Sequence, residues 1–433
     1  MTLRPVPTLV LLAVATAGCG GDAPEAPIST VVAYQGATLI TGDGGPPIGG
    51  GVLVVDEGRI VAAGRPASVP VPEDAAVVDL SGKTVMPALV DLHGHVGFQQ
   101  GLSYDYANYT RENLIDHLER YAYNGVGTIV SMGTDPGELA FEIRAEQEAG
   151  TLGGARLHTA FRGIARPDAG PGAATMRPTA FGVSTPEEAR AVVDEIAATR
   201  ADFVKIWVDD RGGSVEKLTP DLYEPIIAAA HEHGLQVIAH VYYHDDARAL
   251  VEAGADGFAH LPRDLAMDDE LVAAVVENDV FVMPNLSISE RGRHVEPPAW
   301  VEHPLLLESV AGDILARIRA SFENRTPEAA ARAAESWAAM QGSLRKLADA
   351  GARLVLGADT GVQDHVPGFM EHRELELFVE AGIPPADAIR IATSASAEVL
   401  GVDTGLIEAG RRADFVVLDA NPMFGIANTR QIA

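Results

Sequence analysis

Residues 85–95 read V-M-P-A-L-V-D-L-H-G-H, a short apolar run that ends in His93 and His95. In an extended strand, residues i and i+2 point to the same side. Both imidazoles would therefore leave the strand end in one direction, which suits two ligands on one metal ion. Alone the pattern is weak. With 13 histidines in 433 residues, chance supplies roughly 0.4 H-x-H matches per chain. Its weight comes from later in the chain, where Lys205, His240, His260 and Asp359 each stand at or near the end of a short apolar run.

Those runs set the architecture. From Val85 onward short apolar strands alternate with amphipathic helical stretches through eight rounds, with strands such as G-T-I-V-S-M, D-F-V-K-I-W-V, Q-V-I-A-H, G-F-A-H, V-F-V-M-P and R-L-V-L-G-A-D. Eight βα units closing on themselves predict an α/β chain folded as a (βα)8 TIM barrel over residues 85–401, with its chemistry at the C-terminal strand ends. Residues 30–84 follow a different grammar of strands and turns, including a hairpin at D-E-G-R. The same grammar returns over 402–433. The two ends are expected to form one small β-sandwich domain.

The extreme N-terminus is separate. Arg4 precedes the apolar run L-V-L-L-A-V-A-T-A-G, which ends at Cys19 and is too short to span a bilayer. Residues 1–19 read as a lipoprotein signal peptide, with T-A-G-C resembling a lipobox and Cys19 the lipidated residue. A plain signal peptide is the other reading. Residues 20–29 form a Gly/Ala/Pro tether. The expected location is outside the cytoplasm, anchored by lipid to a bacterial membrane. Cys19 is the only cysteine, so disulfides and thiolate metal sites are excluded. Asp+Glu 61 against Lys+Arg 32 gives a net charge of −29, which disfavours nucleic acid or an anionic membrane face as partner. The expected partners are a small-molecule substrate, a membrane through the lipid anchor alone, and a second copy of the chain in a homo-oligomer.

Within D-F-V-K-I-W-V, Val204, Ile206 and Val208 share one face, and Phe203, Lys205 and Trp207 the other. The aliphatic face suits the helix shell, so Lys205 points inward. A buried ammonium is costly unless a carboxylate neutralises it or its pKa is depressed. A neutral amine can add carbon dioxide, and the resulting carbamate can bridge two cations. His240 and His260 close the fifth and sixth strands, which puts both rings at one rim. Taken singly, each fits a hydrogen-bonded core histidine equally well. Asp359 taken singly fits a helix N-cap.

The segments P-A-L-V-D-L-H-G-H, F-V-K-I-W-V, V-I-A-H, G-A-D-G-F-A-H and L-G-A-D-T-G together resemble the amidohydrolase superfamily from about Thr30 onward. The strand-four lysine resembles its prolidase-like and imidazolonepropionase-like branch. That resemblance implies a metal-dependent hydrolase in which a metal-bridging hydroxide cleaves an amide or peptide bond. His93, His95 and Asp359 would hold one divalent metal, most simply zinc, and His240 and His260 a second. A carboxylated Lys205 would bridge them, and Asp359 would move the proton. One departure is expected: the family's closing β strand is cut short near Ala433. Superfamily deaminases commonly carry a glutamate soon after the strand-five histidine. Here Val241, Tyr242, Tyr243 and His244 follow His240, so dipeptides or N-acyl amino acids are the expected substrates and Tyr243 the expected catalytic hydroxyl. Tyr242, His244, Arg162, Arg263 and His365 are candidate substrate contacts, and Arg166, Arg291, Arg293 and His294 lie in neighbouring loops. A lactonase or phosphotriesterase would use the same site. A non-catalytic binding lipoprotein is the reading from another class.

Overall fold

The computed structural model describes residues 30–433 apart from Asn324. The signal segment, Cys19 and the tether lie outside the described residues. Among the described residues no helix is long and apolar enough to cross a membrane.

The chain opens with β1 (Val32–Leu39), β2 (Ile48–Asp56), β3 (Arg59–Gly64), β4 (Ala76–Asp79) and β5 (Thr84–Pro87). β1, β2 and β3 run antiparallel in sequence order. The D-E-G-R turn places Glu57 at φ +45° and Gly58 at φ +74°, the two positive angles of a type I′ hairpin. β1 pairs in parallel with β4 over Val32–Gln35, then with β5 over Thr38–Leu39. The change of partner falls at Gly36, where a Cβ would lie 2.5 Å from Ser81 Oγ.

The barrel strands follow as β6 (Leu89–Gly94), β7 (Val126–Ser131), β8 (Arg156–Thr159), β9 (Val204–Val208), β10 (Val237–Val241), β11 (Gly257–Ala259) and β12 (Phe281–Met283). All their mutual pairings are parallel. The two-residue strand Ile164–Ala165 joins β9 at the β8 side. R-L-V-L-G-A-D is extended chain rather than a full strand. Val282 N bonds Arg353 O at 2.9 Å on one side of it, and Leu92 N bonds Leu356 O at 2.9 Å on the other. The eighth segment therefore lies between β12 and β6, as a barrel requires.

Helices α1 (Arg111–Tyr123), α2 (Leu139–Glu148), α3 (Pro186–Ala197), α4 (Pro220–Glu232), α5 (His244–Glu252) and α6 (Asp269–Glu277) alternate with these strands. Thr110, Thr185 and Asp268 cap α1, α3 and α6 by accepting a backbone N–H three residues on. After β12 come α7 (Leu286–Glu290), the long α8 (Pro327–Asp349) and α9 (Phe369–Glu380). Val204, Ile206 and Val208 pack in one cluster with α3 and α4 residues. Phe203 packs in a different one with Ile238 and Phe281, so the two faces of β9 divide as the alternation predicts.

β13 (Phe415–Leu418) pairs antiparallel with β5. Both ends of the chain thus share a single hydrogen-bonded sheet of six strands. Within it β1 exchanges β4 for β5 at Gly36. Beyond β13, Ile432 bridges back to Leu418.

Candidate metal centre

The strand ends bring His93, His95, His240, His260 and Asp359 to one cavity of about 310 Å³, and Trp207, the residue after next from Lys205, also lines it. His93 Nε2 lies 3.5 Å and His95 Nε2 3.1 Å from Asp359 Oδ1. His260 Nε2 lies 3.8 Å from Oδ2 of the same carboxylate. The ligand atoms of His93, His95 and Asp359 fall within 4.8 Å of one another, a spacing that can hold one metal ion. The His240 and His260 rings meet edge to face at 4.6 Å, and the His93 and His260 rings stand 5.3 Å apart. The four rings form one continuous group.

Burial keeps the His93, His240 and His260 rings neutral, with lone pairs to offer. It holds His93 and His260 well below the ordinary histidine range, despite the nearby Asp359 charge for His93 and with added help from Arg263 for His260. Burial and the Arg211 charge push His240 down to about 3. For Asp359 burial acts in the opposite direction, but the His93 and His95 contacts outweigh it and keep the carboxyl ionised.

Lys205 is 1% exposed, and its Nζ has no hydrogen-bond partner among the described residues. Burial lowers it to about 7, opposed by Asp359 and assisted by Arg211. Its stem runs over two glycines. A Cβ on Gly133 would lie 2.6 Å from Lys205 Cγ, and one on Gly163 3.0 Å from Lys205 Cβ. The expected alternative, a carboxylate in direct contact with the ammonium, is absent among the described residues. An unpaired, half-neutral amine beside neutral imidazoles and an ionised carboxylate fits a site for divalent cations.

Supporting groups fix the candidate ligands. Asp91 Oδ1 accepts the amides of His93 at 2.8 Å and Ala358 at 3.3 Å, which ties the first ligand to the turn before Asp359. His95 Nδ1 meets Thr134 Oγ1 at 3.1 Å. His240 Nε2 lies 2.9 Å from Asp209 Oδ2. Burial would raise Asp209, but His240 and Arg211 hold it well below the usual carboxylate range. An ionised carboxylate only accepts, so Nε2 carries the proton and Nδ1 keeps its lone pair.

Several expected substrate contacts stand elsewhere. The chain turns into α5 directly after β10, and Tyr243 is the residue before that helix. Its hydroxyl donates to Asp210 at 2.7 Å and does not line the cavity. Tyr242 packs against Tyr243 at 4.9 Å. His244 is the first residue of α5 and faces Asp245 and Asp268. Arg162 donates to the carbonyls of Thr179 and Ala180, and Arg166 to that of Val183. Arg291 pairs with Asp364, and Arg293 and His294 with Glu290. His365 is buried behind Asp359 and meets Ala358 O at 3.0 Å. These side chains were assigned to the rim from loop position, which does not say where a side chain turns.

Arg263 does line the cavity. Its Nε is buried without a hydrogen-bond partner, and among the described residues no carboxylate pairs with the guanidinium. Sequence reasoning missed two lining residues, Tyr104 and Arg211, and the residue behind His240, Asp209. Tyr104 reaches the cavity from a short hairpin after β6, with its ring 5.9 Å from that of His95. Nothing in its local sequence marks it. Asp209 and Arg211 follow the lysine strand directly, and a look two residues past that strand would have found them.

Residues 84–433 match the Amidohydrolase family. The chain is 24% identical over 409 residues to an enamidase from Eubacterium barkeri, spanning 90% of this chain and 86% of that protein. It is 25% identical over 412 residues to an imidazolonepropionase from Streptomyces griseus, spanning 91% and 93%. A solved structure of a candidate prolidase from Bifidobacterium longum matches with TM-score 0.74 at 26% identity, over 94% of this chain and 93% of that one.

Proposed function

The chain belongs to the amidohydrolase family, and from that premise we propose that it is a two-metal hydrolase of small amides, with dipeptides and N-acyl amino acids as its substrates. The observation that carries this reading is Lys205. Its amine is buried, unpaired and held at about 7 at the site of four histidines and an ionised aspartate. An amine in that state can take up carbon dioxide, and its carbamate would join the site of His93, His95 and Asp359 to that of His240 and His260.

Bound divalent cations, most simply zinc, would supply Lewis acidity toward a carbonyl oxygen and lower the pKa of a water. The protein's own groups do the rest. Asp359, ionised and in contact with His93 and His95, accepts the proton of the attacking water and delivers it to the departing nitrogen. Arg263 offers an unpaired cation to a substrate carboxylate. Tyr104 stays protonated, because burial and the Asp359 charge raise it well above the ordinary range. It can therefore donate a hydrogen bond to a substrate oxygen at any working pH.

A hydrolysis screen over dipeptides, N-acyl amino acids, lactones and phosphotriesters tests the proposal, paired with elemental analysis for about two metals per chain. Faster turnover of a lactone or phosphotriester than of any amide would overturn the substrate assignment. We also propose export with lipid attachment at Cys19. Cys19→Ala should then release the protein from the membrane fraction or leave it unprocessed, and a wild-type protein that is fully soluble outside the cytoplasm would refute it.

A further inference from the structure

One wall of the cavity is a strap of main chain held from neighbouring loops. Pro171, Gly172 and Ala173 line it from the Gly/Pro-rich strap between Ala165 and Val183. Arginines hold that strap through its main chain. Arg162 and Arg166 grip its far end, at Thr179, Ala180 and Val183. Arg211 is the arginine that grips the part over the cavity, with Nη2 donating to Gly170 O at 2.7 Å, and Thr175 Oγ1 donates to Tyr104 O at 3.2 Å beside it.

The same guanidinium has a second hold. Arg211 Nη1 lies 2.7 Å from Asp209 Oδ2, the oxygen that also receives His240 Nε2 at 2.9 Å. Asp209 is 2% exposed and its other oxygen accepts the Arg211 amide at 2.8 Å. Arg211 itself sits at φ +55°, a backbone conformation uncommon for a long side chain that persists only when surrounding contacts impose it. One fork thus touches the orienter of a metal-ligand histidine with one nitrogen and the strap with another. Arg263, by contrast, has its buried Nε uncommitted.

We propose that Arg211 is a positioning residue that couples strap closure to the orientation of His240. Through Asp209 it keeps the His240 proton on Nε2 and the Nδ1 lone pair toward the cavity. Through Gly170 it keeps Pro171–Ala173 against the same cavity. Loosening either end should be felt at the other. Only the metal-affinity consequence rests on the two-metal reading above.

Two variants, each read at the end it does not touch, test this. In metal-free protein, Arg211→Met should move the ¹⁵N signals of His240 from a pure Nε2–H tautomer to a mixture. Asp209→Asn, which touches nothing in the strap, should speed proteinase K cleavage within 166–183 by about threefold to tenfold. Added methylguanidine should partly restore the His240 signals in Arg211→Met. With metal present, either variant should weaken the second of two titrated zinc ions by 10–100-fold and leave the first within about twofold, the usual scale for removing a ligand's hydrogen-bond partner. An unchanged His240 tautomer in Arg211→Met, or unchanged strap cleavage in Asp209→Asn, overturns the coupling. Should Arg211→Met fail to melt cooperatively, the cleavage of Asp209→Asn decides alone. A wild-type chain that binds one zinc only would sink the two-metal reading, while the two metal-free readouts would still judge the coupling.

Discussion

The amide of Asp359 donates to the carbonyl oxygen of His93 at 2.7 Å. Two candidate ligands from opposite ends of the barrel sequence are thus tied through their main chains, and the cluster is complete only when the eighth segment docks on β6. A second tie, from His95 N to Thr360 O at 2.8 Å, fixes the neighbouring ligand in the same way.

Asp359→Asn separates this scaffold from the chemistry. Asparagine keeps the amide donor and tolerates the left-handed backbone at φ +57°, so the metal-free variant should melt within a few degrees of wild type. It loses the anionic ligand and the proton acceptor, and turnover should fall by at least about 10²-fold. Elemental analysis should show less than the wild-type metal content. Wild-type turnover in this variant would remove Asp359 from the mechanism.

Lys205→Ala should abolish metal retention and activity, with partial recovery in short carboxylates such as acetate or propionate. Only the free amine reacts with carbon dioxide, and Lys205 is held at about 7. Reconstitution of metal-free protein with zinc and bicarbonate should therefore rise with pH, with a midpoint near that value. A reconstitution rate independent of pH between 6 and 8 would count against carbamate formation.

Arg263→Met should raise KM for an N-acyl amino acid by about 10²-fold, in line with the loss of one charge-assisted contact. It should leave KM for the corresponding carboxamide nearly unchanged. Equal effects on both compounds would mean that the guanidinium does not read the substrate's charge.

Tyr104→Phe should lower turnover about tenfold with metal content intact, because Tyr104 lines the cavity with its ring 5.9 Å from that of His95. Tyr243→Phe should stay within about twofold of wild type, since its hydroxyl is spent on Asp210. The reverse ranking would restore Tyr243 as the catalytic hydroxyl.

Glu374 gives a stability prediction. Its carboxylate receives the amides of Leu286 and Ser287 at the start of α7, yet full burial dominates and raises it from 4.5 to about 7. Between those values the folded state keeps a proton that the unfolded state has lost. The contribution is therefore complete below pH 4.5 and disappears as pH rises through 7, a change of about 3 kcal/mol. Glu374→Gln removes this dependence. The melting temperature of wild type relative to the variant should fall steadily from pH 5 to pH 7.5, and a flat difference would refute the assignment.

Most of the barrel was legible because its strands are short apolar runs with helical periods between them. The convergence of the candidate ligands was legible because they close those runs, where strand geometry fixes a direction. Legibility stopped where direction is set by long-range contacts. Arg162 and Arg166 face strap carbonyls, and no local pattern distinguishes that from facing a substrate. Tyr104 enters from a hairpin after β6, a connection whose course only the fold determines. R-L-V-L-G-A-D was read as a strand of ordinary length. Its β pairing reduces to one bridge at Leu354, with a second just beyond it at Thr360, and its end turns left-handed at Asp359.

That left-handed turn has an evolutionary side. His260 at φ +75° and Asp359 at φ +57° both hold candidate ligands on backbone that most side chains avoid. Histidine, aspartate and asparagine are the non-glycine residues most at ease there. A lineage drifting toward another metal could not freely exchange these two positions for glutamate or cysteine, since the new side chain would meet a conformational penalty of about 1–2 kcal/mol before any gain in coordination. His93, His95 and His240 are free of that restriction. Retuning of the centre would therefore start at those three positions, while His260 and Asp359 changed last.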